Sequence, residues 1–188
     1  MDSGSVILDF LHSRNSSARL GEPAPDAAQL EDMLRCALRS PDHAWLRPWR
    51  FVSIRGERRE AFGQLILESL LRRNPDASEA ERSKALAAPL RAPLIVAVIA
   101  CFTEHPKVPQ WEQQLSAGCA AHAILLGAQA LGFAGIWRTG PPTRDPELAR
   151  QFGVADNERL IALLYLGTRV GEPKPVPGLE PRVFHEAW

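Results

Sequence analysis

Three short polar segments hold the residue types in this chain best suited to chemistry. Arg14-Asn15-Ser16 sets a guanidinium beside a hydroxyl. The planar fork of an arginine grips phosphate oxygens two at a time, and the hydroxyl adds a further donor. Arg39-Ser40-Pro41-Asp42-His43 brackets a proline turn with a cation and an imidazole, with Trp45, Arg47, Pro48 and Trp49 close behind. A ring system can stack there, with His43 as neutral donor or acceptor. Trp137-Arg138-Thr139-Gly140 ends an uncharged stretch, where a strand running into a turn offers backbone N–H groups and one cation. Together the three suit an anionic, ring-bearing cofactor. Taken singly, each also fits a plainer role: a solvated helix end, a capped helix beside core tryptophans, or an ordinary strand-to-turn junction.

Other chemistries find less support. The histidines are scattered, and neither H-E-x-x-H nor a cysteine pair is present. Cys101 with His105, and Cys119 with His122, each supply two donors where zinc needs three or four. Cys119 and His122 also suggest a nucleophile and base, but burial in an apolar helix would raise the thiol pKa and leave it inert. There is no G-x-S-x-G elbow, no Walker A sequence and no G-x-G-x-x-G.

Elements must hold these segments in place. Val6 to Leu11 reads as a short first helix. Asp26 with Gln29 forms a capping-box pattern, and Leu30, Met33, Leu34, Ala37 and Leu38 follow at helical spacing, giving a helix over 26–39. Trp49 to Ile54 reads as a strand, followed by a helix carrying Phe62, Leu65, Ile66 and Leu70. Asn74 to Lys84 is polar, a mobile helical excursion or lid. Leu94 to Ala100 is a continuous apolar run rich in β-branched residues, which suits a central strand buried on both faces. Trp111 to Leu131 is the longest helix, kept slim by Gly118, Ala120, Ala121, Gly127 and Ala128. Phe133 to Trp137 and Leu160 to Leu166 are further strands. Asp145-Pro146 opens a short helix with a cap and a proline at its first position. The proline-rich tail is expected to be extended, its terminal aromatics packed on something. Interspersed helices and few strands indicate an α+β or α/β layered fold in one domain, 1–188.

The bulk numbers exclude several classes. With 188 residues, 45% apolar and 23% charged, the chain is an ordinary globular protein. Lys+Arg and Asp+Glu both number 22, so there is no basic excess for nucleic acid, and the low net charge is compatible with a permanent oligomer. Three widely spaced cysteines form no disulfide framework, and the N-terminus lacks a basic n-region; a reducing cytoplasm is expected. Ser116 to Trp137 carries no Asp, Glu, Lys or Arg, but it is rich in Ala and Gly and broken at Gly132 to Gly135. It reads as a buried helix and strand rather than a membrane span.

In this order the segments resemble the nitroreductase family of FMN-dependent oxidoreductases, and within it the small YdjA-like branch. The matching stretches are Ser13 to Leu20, Arg39 to His43 with Pro48 and Trp49, and Arg91 to Ile95. Lys107 to Glu112, Ser116 to Ala120 and Gly132 to Gly140 complete the set. The resemblance implies an α+β nitroreductase-like fold, a mainly antiparallel sheet flanked by helices. It also implies a homodimer with FMN at two shared interface sites. By position, Arg14, Asn15 and Ser16 would hold phosphate, ribityl and pyrimidine groups, while Arg39 and His43 reach the flavin of the other subunit. Trp137, Arg138 and Thr139 would line the isoalloxazine. Gly127 and Gly132 would lie in the dimer core near the nicotinamide of NADH or NADPH.

Two departures stand out. Asn15 occupies a position where the family more often has a second arginine, and the tail lacks a clear basic phosphate motif, although Arg182 is present. The activity implied is ping-pong hydride transfer from NAD(P)H through FMN to a nitroaromatic, quinone or related small acceptor, with no side chain acting as nucleophile. The alternatives are a non-catalytic flavin-binding carrier or sensor and, further off, a cofactor-free hydrolase using Cys119 and His122.

Overall fold

The computed structural model describes residues 3–188. In chain order the elements are α1 (Ser3–His12), β1 (Leu20–Gly21), α2 (Ala27–Ala37), β2 (Trp49–Arg55), α3 (Arg58–Arg73) and α4 (Glu79–Ala87). They continue with β3 (Leu94–Cys101), α5 (Gln110–Ala130), β4 (Ala134–Arg138), α6 (Pro141–Arg144), α7 (Pro146–Gln151) and β5 (Glu158–Arg169). Single 3-10 turns occupy His43–Trp45, Ala88–Arg91 and Pro181–Val183.

The sheet runs β1-β5-β3-β2, with β4 also paired to β5, and every pairing is antiparallel. The expected antiparallel sheet flanked by helices is therefore present. Its centre is β3, whose Leu94 to Ala100 are buried without a break. The period of two divides that strand between two cores. Leu94, Val96, Val98 and Ala100 pack with Met33 and Ala37 of α2 and with Ala117, Ala120, Ala121, Ile124 and Ala128 of α5. Ile95, Ala97 and Ile99 face Phe62 and Ile66 of α3 and Leu148 of α7. A continuous apolar run is what a strand covered on both faces requires.

Small residues set the spacing of this frame. A Cβ at Gly127 would lie 3.1 Å from Met33 Cα, so its absence lets α2 approach α5. At Gly135 a Cβ would meet Leu125 and Leu166 side chains at 2.8 Å. The Asp26–Gln29 capping box forms as its spacing indicates.

The helical excursion, one of the two readings of 74–84, is present: α4 begins on a Ser78–Glu81 capping box, buries Ala85 and lies against α3. Leu86 O would stand 2.5 Å from a Cβ at Gly63, which shows how closely the two helices meet. One expectation changes: within the chain Cys119 is not buried but lies exposed on α5 with His122. Among the described residues no helix is long and apolar enough to cross a membrane. The same residues hold no cluster of three or more His, Cys, Asp or Glu able to bind a metal ion.

Candidate functional site

The first island follows the C-terminus of α1 and is fastened on three sides. Gln129 of α5 donates from Nε2 to Phe10 O at 2.8 Å and to Ser13 Oγ at 3.0 Å. Ser17 N–H donates to Gly135 O of β4 at 3.0 Å. Asn15 Nδ2 donates to the Lys174 carbonyl in the tail at 2.7 Å, and Asn15 Oδ1 accepts from Ser16 N–H at 2.9 Å. Arg14, Asn15 and Ser16 are all half-buried. The Ser17–Gly135 bond thus draws the first island and the third together, since β4 carries Trp137 and Arg138 to its end.

In that third island the Trp137 ring lies 3.8 Å from where a Cβ on Gly118 of α5 would be. The Arg138 guanidinium sits 5.2 Å from the centre of the Tyr165 ring, a cation–π contact. Its Nε is buried without a hydrogen-bond partner, which leaves a donor to be satisfied. Burial, opposed by the Arg138 charge, raises the Tyr165 pKa. Thr139 is exposed, and Gly140 follows at φ +117, a conformation that glycine adopts without strain.

The middle island sits at the other end of α2. His43 Nδ1 lies 2.9 Å from Glu112 Oε2 in the first turn of α5. Arg39 lines a cleft of about 490 Å³ with Cys36, Ser40, Gly118, Cys119 and His122. Arg39 and His43 therefore lie against α2 and the N-terminal half of α5, while the segment around Arg14 to Ser16 is tied through Ser13 to the C-terminal end of α5, through Ser17 to β4 and through Asn15 to the tail. Gly127 is buried beneath α2, and Gly132, at φ +81, makes the turn after α5. Within the chain Gly127 serves packing, covered by Met33, and Gly132 serves chain reversal outside the helix.

Two further charged groups brace the frame. Arg50 donates to both Glu158 oxygens, at 2.7 Å from Nε and 2.6 Å from Nη2, and holds that carboxyl down at about 2. Burial and the same carboxylate push the adjacent Cys101 thiol up to about 11. Burial would raise Asp145, but its hydrogen bonds, among them those from Arg72 and the N–H groups of Leu148 and Glu147, outweigh it and leave it at about 2. Glu158 and Asp145 thus remain charged at neutral pH and act as structural anchors.

Several of these ties had no local signal. Gln129, Lys174 and Glu112 are ordinary polar residues in the sequence, and their partners lie 119, 159 and 69 residues away. Only the fold brings them to the islands.

The residues present suit a phosphorylated ring. Arg14 and Ser16 supply a fork and a hydroxyl, Arg138 Nε is an unsatisfied donor, and Trp137 adds an aromatic surface.

Residues 13–168 match the Nitroreductase family. The chain is 41% identical over 177 residues to "Putative NAD(P)H nitroreductase YdjA" of Escherichia coli (strain K12), covering 90% of this chain and 96% of that protein. Among solved structures it superimposes on the Nitroreductase-like Family Protein from Bacillus cereus with a TM-score of 0.81 at 21% identity, covering 97% of this chain and 95% of that one. It also superimposes on a nitroreductase with bound FMN from Bacteroides fragilis, with a TM-score of 0.74 at 19% identity, covering 97% and 98%.

Proposed function

This chain belongs to the nitroreductase family, and from that premise we propose that it is an FMN-dependent NAD(P)H oxidoreductase, acting as a homodimer on a nitroaromatic, quinone or related small acceptor. The observation that carries the reading is the Ser17–Gly135 hydrogen bond, which joins the phosphate-suited island to the strand ending in Trp137, Arg138 and Thr139. The relatives' names supply the NAD(P)H part of the proposal, and the FMN-bound structural neighbour the cofactor.

When bound, FMN would accept two electrons from NADH or NADPH and pass them to the acceptor. The chain's own part is to bind and orient. Arg14 and Ser16 hold the phosphate end, and the Asn15 amide, already committed at both ends, fixes the loop that carries them. Trp137, Arg138 and Thr139 would line the ring, with the Arg138 cation there to favour anionic character in the group bound. Arg39 and His43 complete the site from the other subunit.

Several apolar side chains stand exposed on the single chain: Val6, Ile7 and Leu8 of α1, Trp111 and Leu115 of α5, and Phe184 of the tail. Covering them between two copies of the chain would favour a dimer. The test is flavin stoichiometry together with mass in solution. One FMN per chain and a mass twice that of the 20.7 kDa chain support the shared site; a monomer that retains flavin contradicts it.

A further inference from the structure

The loop between α2 and β2 carries backbone strain. Ala44, Trp45 and Arg47 adopt φ values of +63, +55 and +48, left-handed conformations unfavourable for residues other than glycine. Asp42 holds them there, its two carboxylate oxygens accepting from Leu46 N–H at 3.1 Å and Arg47 N–H at 2.7 Å. The strain does not bury the tryptophan, because Trp45 remains 78% exposed. A strained loop holding a large aromatic in the open indicates a function for that geometry.

What the loop builds is a cleft of about 340 Å³, lined by Arg39, Ser40, Asp42, Trp45, Arg47 and Trp49. That is the size of a small-molecule site. Two tryptophans supply flat apolar walls. Among the described residues neither Arg39 nor Arg47 forms an ion pair; with Arg39 assigned to the flavin, the Arg47 guanidinium is left for a ligand. Ser40 Oγ is buried with no hydrogen-bond partner. Asp42 is the acidic group of the lining, and its oxygens are occupied by the backbone; the lining keeps one net positive charge. Aromatic walls, the Arg47 fork and an unsatisfied hydroxyl suit a planar ring bearing an anionic substituent.

We infer that this cleft is the acceptor-selecting wall of the flavin site, and that the acceptor is a planar aromatic carrying a carboxylate or similar acidic group. Trp45 stacks on the ring and Arg47 pairs with its anion. The role as acceptor site rests on the flavoenzyme reading, since Arg39 is the residue that joins this cleft to the flavin; the ligand class rests on the cleft alone.

The test compares 4-nitrobenzoate with uncharged nitrobenzene by calorimetric titration of the purified protein, as wild type, W45A and R47Q. Melting temperature serves as the check on folding, and R47Q spares the loop if W45A unfolds. Wild type is expected to bind nitrobenzoate at least about tenfold more tightly than nitrobenzene, as loss of a charge-assisted pair implies. R47Q should erase that preference, and W45A should weaken both ligands. Equal affinities in wild type, variants that leave nitrobenzoate binding unchanged, or variants that shift only NADPH binding overturn the inference. So does a W45A protein that becomes monomeric while still binding nitrobenzoate normally. Absence of FMN from the wild type would defeat the flavoenzyme reading alone, and the same titration would still decide the cleft.

Discussion

The Asn15 amide donates to the Lys174 carbonyl at 2.7 Å, joining residues separated by 159 positions. Its oxygen meanwhile accepts from Ser16 N–H at 2.9 Å. One side chain therefore shapes the first island and clasps the tail that follows β5. An arginine here would add a cation, but it has no acceptor oxygen with which to hold the Ser16 N–H.

The clasp gives the first prediction. Asn15→Ala is expected to lower stability by about 1 kcal/mol, the net worth of an ordinary hydrogen bond. It should also make the chain beyond Arg169 more sensitive to protease. Limited proteolysis followed by mass spectrometry reads this directly, and unchanged cleavage would remove the clasp.

Arg14 is assigned the phosphate end. Arg14→Ala should weaken FMN binding by about 1.5–3 kcal/mol, the usual value for a hydrogen bond to a charged group. Quenching of flavin fluorescence on titration measures it. An unchanged dissociation constant would take Arg14 out of the site.

Acid stability follows from the braces. The carboxyl groups of Glu158 and Asp145 lie at about 2, against ordinary values of 4.5 and 3.8. A depressed carboxyl stabilises the folded chain fully above its unfolded value, and that contribution fades as pH falls through the folded one. Stability should therefore decline between about pH 4.5 and pH 2. Glu158→Gln should flatten the decline, and a denaturation series against pH that shows the same slope in both proteins would count against the Arg50 pair.

Gly135 is the sharpest test of the packing. Gly135→Ala brings a methyl to 2.8 Å from Leu125 and Leu166, whereas Gly132→Ala meets open space but keeps φ +81. The first is expected to cost about 1–3 kcal/mol through overpacking, and the second roughly 1 kcal/mol through backbone strain. Chemical denaturation of the two variants ranks them.

The sequence revealed most of the frame because the relevant signals are local. The capping box at Asp26 and Gln29, the unbroken apolar run of β3 and the Asp145-Pro146 helix start each arise from neighbouring residues. The same locality made the three islands visible. What stayed hidden depends on distant partners: the Gln129 clamp, the Lys174 clasp, and the close packing of α4 on Gly63. The exposure of Cys119 was hidden for a related reason. Composition marks α5 as apolar all round, but only the placement of α2 and the sheet decides which face is covered. The strain at Ala44, Trp45 and Arg47 had no sequence signal, since none of the three is glycine or asparagine.

The visible absorbance spectrum of the purified protein, before and after NADH or NADPH is added without oxygen, decides whether the chain is a flavin-dependent NAD(P)H oxidoreductase. A flavin spectrum that bleaches on addition of the nucleotide is the expected result, and it also identifies the preferred donor. A flavin spectrum that persists with both donors contradicts turnover and favours a carrier or sensor. A colourless protein that takes up no added FMN contradicts the cofactor assignment itself.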